Sequence, residues 1–273
     1  MDLAGELAEA MRAALWPSLF AFAFLTALEL LMPRGAVPIR ARAAGLTFWA
    51  ILLPVTITVF ALFNALWRWI GIAPLVTIPL DFGWAGTALA WVLAPLAGAI
   101  VADFFFYWFH RAQHRWLWRW HAVHHSVRDL SAINAYHHVS EPLFHVALMS
   151  VPASLILADS GASAPAMTVI LYLHASFIHS PTRLHLGPLA IAIVDNRFHR
   201  IHHSLEPAHF DRNFGAFTTI WDRLFGTAWV PARDEWPDTG LEQIDQPRNL
   251  REWLDLPLRL GRRPAHTHIA PVI

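Results

Sequence analysis

The 273-residue chain contains no cysteine. That excludes disulfides, thiolate zinc and iron–sulfur sites, and cysteine nucleophiles, and it leaves the redox compartment unreadable. It also contains no lysine, since all twenty of its basic residues are arginine, so Schiff-base chemistry is excluded. Charge is scarce: 15% of residues are Asp, Glu, Lys or Arg, against about 25% in soluble domains. The formal net charge is zero, so there is no basic field to draw in nucleic acid, and no nucleic-acid partner is expected. The first 109 residues hold no histidine, whereas fifteen fall between His110 and His209.

What is abundant is apolar: 56% of the residues, with fourteen Trp and eighteen Phe. Long uncharged runs cover Ala13–Leu28, Ala43–Trp67 and Trp84–Ala102; the first continues through Glu29 to Met32, and the apolar character of the third continues to Phe109. A hydrocarbon core of ~30 Å needs about 20 helical residues, so these predict three membrane-spanning helices. The interior prolines Pro54 and Pro95 are tolerable there. A second apolar pair, Leu143–Ala158 and Ala162–Phe177, joined by Asp-Ser-Gly, predicts a short helical hairpin, each arm only 16 residues long. The N-terminal Met-Asp-Leu-Ala-Gly-Glu stretch lacks the basic flank of a secretory signal and reads as an amphipathic lead-in.

The expected fold is thus all-α, an integral membrane bundle with a His-rich helical cap. Its expected divisions are an anchor over 1–109, a His-rich region over 110–230 that includes the hairpin 143–178, and a tail over 231–273 with a loosely ordered end. Arg34, Arg40 and Arg42 follow the first span and Arg111, Arg115 and Arg119 follow the third, while the loop at 71–83 has no Arg. The positive-inside rule then predicts a cytoplasmic His-rich region. The arginine-only usage weakly suggests a bacterial source, and so an inner membrane.

The histidines are patterned. "HRAQH" supplies His110 and His114 at i, i+4, while "HAVHH" and "HRIHH" supply His121, His124, His125 and His199, His202, His203 at i, i+3, i+4. On a helix each set shares one face. One such pair alone signifies little, but three clusters within about 100 residues point to metal. Eight imidazoles suit two ions better than one, and imidazole suits Fe, Zn, Cu or Ni. There is no His-Glu-x-x-His protease helix and no Glu-x-x-His bundle pattern. A nearly all-histidine dinuclear site beside the membrane remains. Iron there would activate O2, whereas zinc, though it binds such sites well, has no redox chemistry.

Asp103, seven residues before His110, is a candidate for orienting a ring, or else a carboxylate at the membrane interface or paired with an arginine. Glu141, Asp195, Asn196 and Asp211 are weaker candidates of the same kind. His174 and His179 stand at the end of the hairpin. His137 and His138 read equally as ligand, outer partner or surface residue, and His145 reads as a core histidine. His185, His209, His266 and His268 carry no assignment. The aromatics of "DFFFYWFH" and "RWLWRWH" read first as an interfacial belt.

"DFFFYWFHRAQH", "LWRWHAVHHS", "DNRFHRIHHS", "DRNFG" and "IWDRLFGT", spread over about 102–227, together resemble the sterol desaturase / fatty acid hydroxylase superfamily of membrane di-iron enzymes. "FIHSPTRLHLGP" resembles a stretch of that family bearing a further ligand, mapping to His179, with His174 a less certain one. In place of the His-Pro that many relatives have shortly before an acid, this chain reads "YHHVSEP", which bears on His138. The resemblance implies two iron ions held mainly by His110, His114, His121, His124, His125, His179, His199, His202 and His203. It implies O2 as co-substrate, a membrane lipid as substrate, and hydroxylation or desaturation as the reaction. With no flavin, haem or iron–sulfur motif in the chain, electrons are expected from a separate ferredoxin- or cytochrome-type protein. A carotenoid hydroxylase or ketolase, a zinc-dependent membrane hydrolase and a metal transporter are the competing readings.

Overall fold

A computed structural model describes residues 3–79, 86–159 and 165–260. The three long apolar runs form helices α1 (Leu3–Leu31), α2 (Ile39–Ile70) and α3 (Thr87–Trp116), each long and apolar enough to cross a membrane. The chain is mostly helical and reads as an integral membrane protein. Helix α2 ends where Gly71 enters the left-handed region at φ 71 and its N–H closes on the Trp67 carbonyl, the usual glycine stop. Trp84, expected to open the third span, lies outside the described residues, as do Ser160 and Gly161 of the hairpin turn.

The hairpin reaches further than its composition predicts. Its first arm runs through α5 (Glu141–His145), a wider π-type turn at Val146–Ser150 and α6 (Val151–Leu155). It then extends into strand β2 (Ile156–Asp159), which pairs in parallel with β1 (Val76–Pro79), from Val76↔Ile156 to Pro79↔Asp159. An all-α expectation contains no such pair. β1 lies between α2 and α3, at the end of the bundle opposite His110, so the hairpin tip reaches that end too. Fifteen helical residues rise about 22 Å and four extended ones about 13 Å. Extension supplies the length that a 16-residue helix lacks. The chain returns through α7 (Pro165–Phe177), packed against α1.

At the near end, short elements close over the helix ends: α4 (Trp118–His125), α8 (Asn196–His202), α9 (Ile220–Leu224) and α10 (Leu250–Arg259). Residues 231–260 do not stand apart as a tail. Trp253 and Leu256 of α10 are buried against α4 and α2, with Trp253 stacked on Phe48 at 5.0 Å and Phe48 edge-on to Tyr136 at 4.7 Å. Helix α2 approaches the 131–135 loop so closely that a Cβ on Gly45 would overlap Asn134 Oδ1 and Ile133.

One buried acid ties these parts together. Glu29 on α1, 2% exposed, forms an ion pair with Arg42 on α2 and accepts hydrogen bonds from Ala132 N and Ser180 Oγ, both at 2.9 Å. Ser180 follows His179 directly. Glu29→Ala would leave Arg42, an amide and a hydroxyl unsatisfied together. It is expected to destabilise the protein by about 3–5 kcal/mol, checked by thermal unfolding of the detergent-solubilised protein, with Glu29→Gln intermediate.

Candidate metal centre

Helix α3 brings His110 and His114 out of the bundle on its last two turns, and Leu117 breaks the chain into α4. Helix α8 starts at an Asp195 cap, whose carboxylate accepts from Arg197 N at 3.1 Å and Phe198 N at 2.9 Å. Asn196 fastens that start to the carbonyls of Ser180 and Thr182 at 3.0 and 2.9 Å, which holds α8 against the His179 turn.

The histidines then sort into two groups, His110, His114, His121, His125 and His202 in one and His124, His179, His199 and His203 in the other. Each triplet is divided. From α4 the i, i+4 pair His121 and His125 joins the first group and the intervening His124 the second. From α8 the i, i+4 pair His199 and His203 joins the second and His202 the first. Two facing helices thus exchange one ring each.

Within each group the Nε2 atoms crowd together. His110–His121 is 3.0 Å, and His114–His125 and His121–His125 are each 3.1 Å. In the second group His179–His199 is 2.9 Å, His199–His203 3.2 Å and His124–His179 3.3 Å. Those contacts are not all hydrogen bonds. The Nδ1–H of His124 donates to the Tyr136 carbonyl at 3.3 Å and that of His179 to Ala175 at 2.9 Å. With both protons committed outward, two bare lone pairs face each other. Donor atoms at about 2.0–2.1 Å from one ion lie roughly 2.9–3.4 Å from their neighbours. The observed separations fall in that range, and the donors fit a metal.

Outer partners fix three more rings. His110 Nδ1 donates to the Phe214 carbonyl at 2.8 Å, His202 Nδ1 to Arg212 at 2.7 Å, and His114 Nδ1 meets Asp211 Oδ1 at 3.1 Å. All three partners lie on one loop. Asp211 and Asn213 adopt left-handed φ values of 60 and 58, which aims the Arg212 carbonyl inward. Asn213 is held there by its amide on the carbonyls of Phe198 and Trp229 at 2.8 and 2.9 Å.

Burial holds His121, His124, His125, His199 and His203 well below the ordinary imidazole pKa, with their neighbouring imidazoles adding to the effect. His179 is pushed down to about 4, chiefly by burial. These rings are neutral at pH 7, as ligation requires.

The other candidates lie elsewhere. His174 Nε2 meets the Val194 carbonyl at 2.8 Å, and His138 bonds Ser140 Oγ at 2.7 Å and the Leu254 carbonyl at 3.3 Å. Neither joins a group. Asp103 does not reach a ring. Its carboxylate takes Ala216 N, Phe217 N, Thr218 N and Thr218 Oγ1 at 2.9–3.1 Å, and so pins the turn beyond Phe214. Asp222, which the sequence reading passed over, takes Phe214 N at 2.8 Å and Gly215 N at 2.7 Å from the other side, and burial raises its pKa to about 6. The visible hint was its place within "IWDRLFGT". His137 also gained a place: its ring stacks on His124 at 4.0 Å, its carbonyl takes Trp253 Nε1 at 2.9 Å, and it lies with Glu141 beside His121. Gln113 donates to Glu141, whose pKa burial raises to about 7. A cavity of about 260 Å³ opens onto His114, His125 and His202, walled by Trp118, Phe210 and Leu241.

Asp103→Asn would turn an amide NH2 toward N–H donors and release the turn that carries Phe214. Metal affinity is expected to fall about 10–100-fold, with a small change in melting temperature, measured by chelator competition on the purified protein.

Residues 95–227 match the fatty acid hydroxylase family. Among curated proteins, the chain is 37% identical to the ornithine lipid hydroxylase OlsE of Rhizobium tropici over 153 residues, covering 53% of this chain and 44% of that protein. It is 31% identical to the alkylglycerol monooxygenase of Danio rerio over 160 residues, 58% of this chain and 33% of the relative, and 29% identical to the Homo sapiens protein of the same name over 155 residues, 56% and 32%. The chain spans less than half the length of these relatives. No solved structure matches it. The matched segment, just under half of the chain, contains all nine clustered histidines, and in it the chain is similar to members of the sterol desaturase / fatty acid hydroxylase superfamily.

Proposed function

We propose that this protein is a membrane-bound di-iron oxygenase that hydroxylates or desaturates a lipid. O2 is the co-substrate, and electrons come from a separate carrier of ferredoxin or cytochrome type. The observation that carries this reading is the pair of buried all-histidine groups, five and four residues strong, at the near end of the apolar helices. His110, His114, His121, His125 and His202 would hold one ion, and His124, His179, His199 and His203 the other. Bound iron supplies electron transfer to O2, which zinc does not.

The chain's own work is ligation, orientation and exclusion of water. The Phe214, Arg212, Tyr136 and Ala175 carbonyls hold their rings with Nε2 inward. Asp103 is a positioning residue that acts through the 214–218 turn. Trp118, Phe210 and Leu241 keep the cavity at His114, His125 and His202 largely apolar. In hydroxylation, R–H, O2, two electrons and two protons give R–OH and water. In desaturation, two vicinal C–H bonds are lost and two waters form.

Support for a lipid substrate comes from the helices, which open the protein to a bilayer, and from the relatives, one named for ornithine lipid and one for alkylglycerol. The arginines at 34, 40, 42, 111, 115 and 119 stand at the histidine end, which supports a cytoplasmic site, and we assign the protein to a bacterial inner membrane. Against transport, the ligands stand at helix ends, away from the bilayer midplane where transporter sites lie.

Lipids from cells expressing the protein under 18O2 are expected to contain a species carrying one 18O, or one lighter by two hydrogens if the reaction is desaturation. His202→Ala should lower its yield at least about 100-fold, beyond the loss of an outer partner alone. Unchanged lipids in a host supplying reductase, with activity persisting without O2, would replace this reading with a zinc hydrolase. Metal analysis of His110→Ala and His124→Ala should each give about one ion per chain against about two in the wild type.

A further inference from the structure

On the far side of α8 from its histidines lies a second concavity, of about 540 Å³, lined by Arg34, Arg183, His185, Arg197, Arg233 and Asp234. Four guanidiniums face it against one carboxylate. No Asp or Glu oxygen among the described residues lies within 4.0 Å of Arg34, Arg183, Arg197 or Arg233. Arg34 has a lowered pKa, first through burial and then through Arg197, with Asp234 opposing the shift, Arg183 adding to it and Asp195 opposing it more weakly.

The fold holds this cluster in place. Arg34 N bonds the Pro181 carbonyl and Arg183 N the Met32 carbonyl, both at 2.8 Å, across the Pro33↔Thr182 bridge. Arg197 donates to the Ala232 and Arg233 carbonyls. The Trp236 ring makes cation–π contacts with both Arg34, at 4.5 Å, and Arg200, at 4.4 Å. Arg34 is thus pre-ordered with part of its donor fork free.

Location narrows the ligand. Arg34 follows the last turn of α1, and Arg183 follows the turn after α7. Around them stand exposed Leu30 (71%), Leu31 (78%), Leu184 (41%), Leu189 (61%) and Ile191 (68%). An apolar fringe at the ends of membrane helices beneath a basic hollow matches the bilayer surface, where acyl chains lie below phosphates. A hollow suits a compact headgroup better than the broad surface of a protein partner.

We propose that this cleft binds the phosphate headgroup of an anionic phospholipid, with Arg34, Arg183 and Arg233 as its principal contacts and Arg197 as the wall. The bound headgroup would seat α8, and with it His199 and His203, at a defined depth at the membrane surface. This site stands apart from the reacting centre and does not rest on the oxygenase reading.

The test uses the full chain, delipidated in detergent, with melting temperature read on adding dioctanoyl phosphatidylglycerol, dioctanoyl phosphatidylcholine or glycerol 3-phosphate. Phosphatidylglycerol should raise the melting temperature at concentrations at least about tenfold lower than phosphatidylcholine, the scale of one charge-assisted hydrogen bond. Glycerol 3-phosphate should have no effect. Arg183→Gln with Arg233→Gln should abolish the selectivity, while Arg183→Lys with Arg233→Lys should retain most of it and report that the fold tolerates change there. Equal stabilisation by glycerol 3-phosphate would reassign the cleft to a soluble phosphate and overturn the proposal. No selectivity in the wild type, or full selectivity in the Gln variant, would overturn it too. So would an unchanged lipid response in the Gln variant alongside slower reduction by an acidic electron carrier, which would make the cleft a protein dock.

Discussion

Nine buried imidazoles crowd their Nε2 atoms together in two groups, and that crowding is the constraint on which this structure depends. Two of their lone pairs at 3.3 Å, those of His124 and His179, cannot satisfy each other once their Nδ1 protons are committed to carbonyls. Left alone, the arrangement is repulsive and would spread. A cation at the centre of each group would turn that repulsion into ligation, and the dense outer structure holds the rings where one would fit.

That outer structure is mostly backbone. The carbonyls of Phe214 and Arg212 come from a loop bracketed by two left-handed residues, and Asp103 and Asp222 clamp its turn from opposite sides. Burying two carboxylates is costly unless each lone pair finds a donor; here five amide hydrogens and a hydroxyl of the 214–218 segment meet them directly. On the second group, α10 does the same work by packing. Trp253 holds the His137 carbonyl, and His137 stacks on His124.

The membrane helices are part of this scaffold. Glu29, in the last turn of α1, fixes both the loop at Ala132 and Ser180 beside His179, so the position of a candidate ligand depends on an ion pair at the head of the bundle. The β1–β2 pair at the opposite end ties the hairpin to the α2–α3 loop. The return of the chain through α7 to His179 is therefore anchored at both ends.

From residue order alone came the helical class, the three long spans, the scarcity of charge, and eight of the nine histidines that the structure gathers, because helix periodicity makes i, i+3, i+4 spacing a statement about one face; His179 came from the family resemblance. Periodicity is local, and its reach ended there. It could not divide a triplet between two groups, since that depends on how α4 faces α8. Nor could it distinguish His179, which joins a group, from His174, five residues earlier, which turns to the Val194 carbonyl. Asp103 was visible as a lone acid on α3, but its partners lie more than a hundred residues on, in a loop whose left-handed turns carry no glycine to mark them. Residues up to Arg259, polar and proline-rich in sequence, became core because Trp253 and Leu256 fall on one face of α10 and find Phe48. Local spacing marked eight of the candidate rings; long-range packing, which buries carboxylates and aims carbonyls, decided where they point.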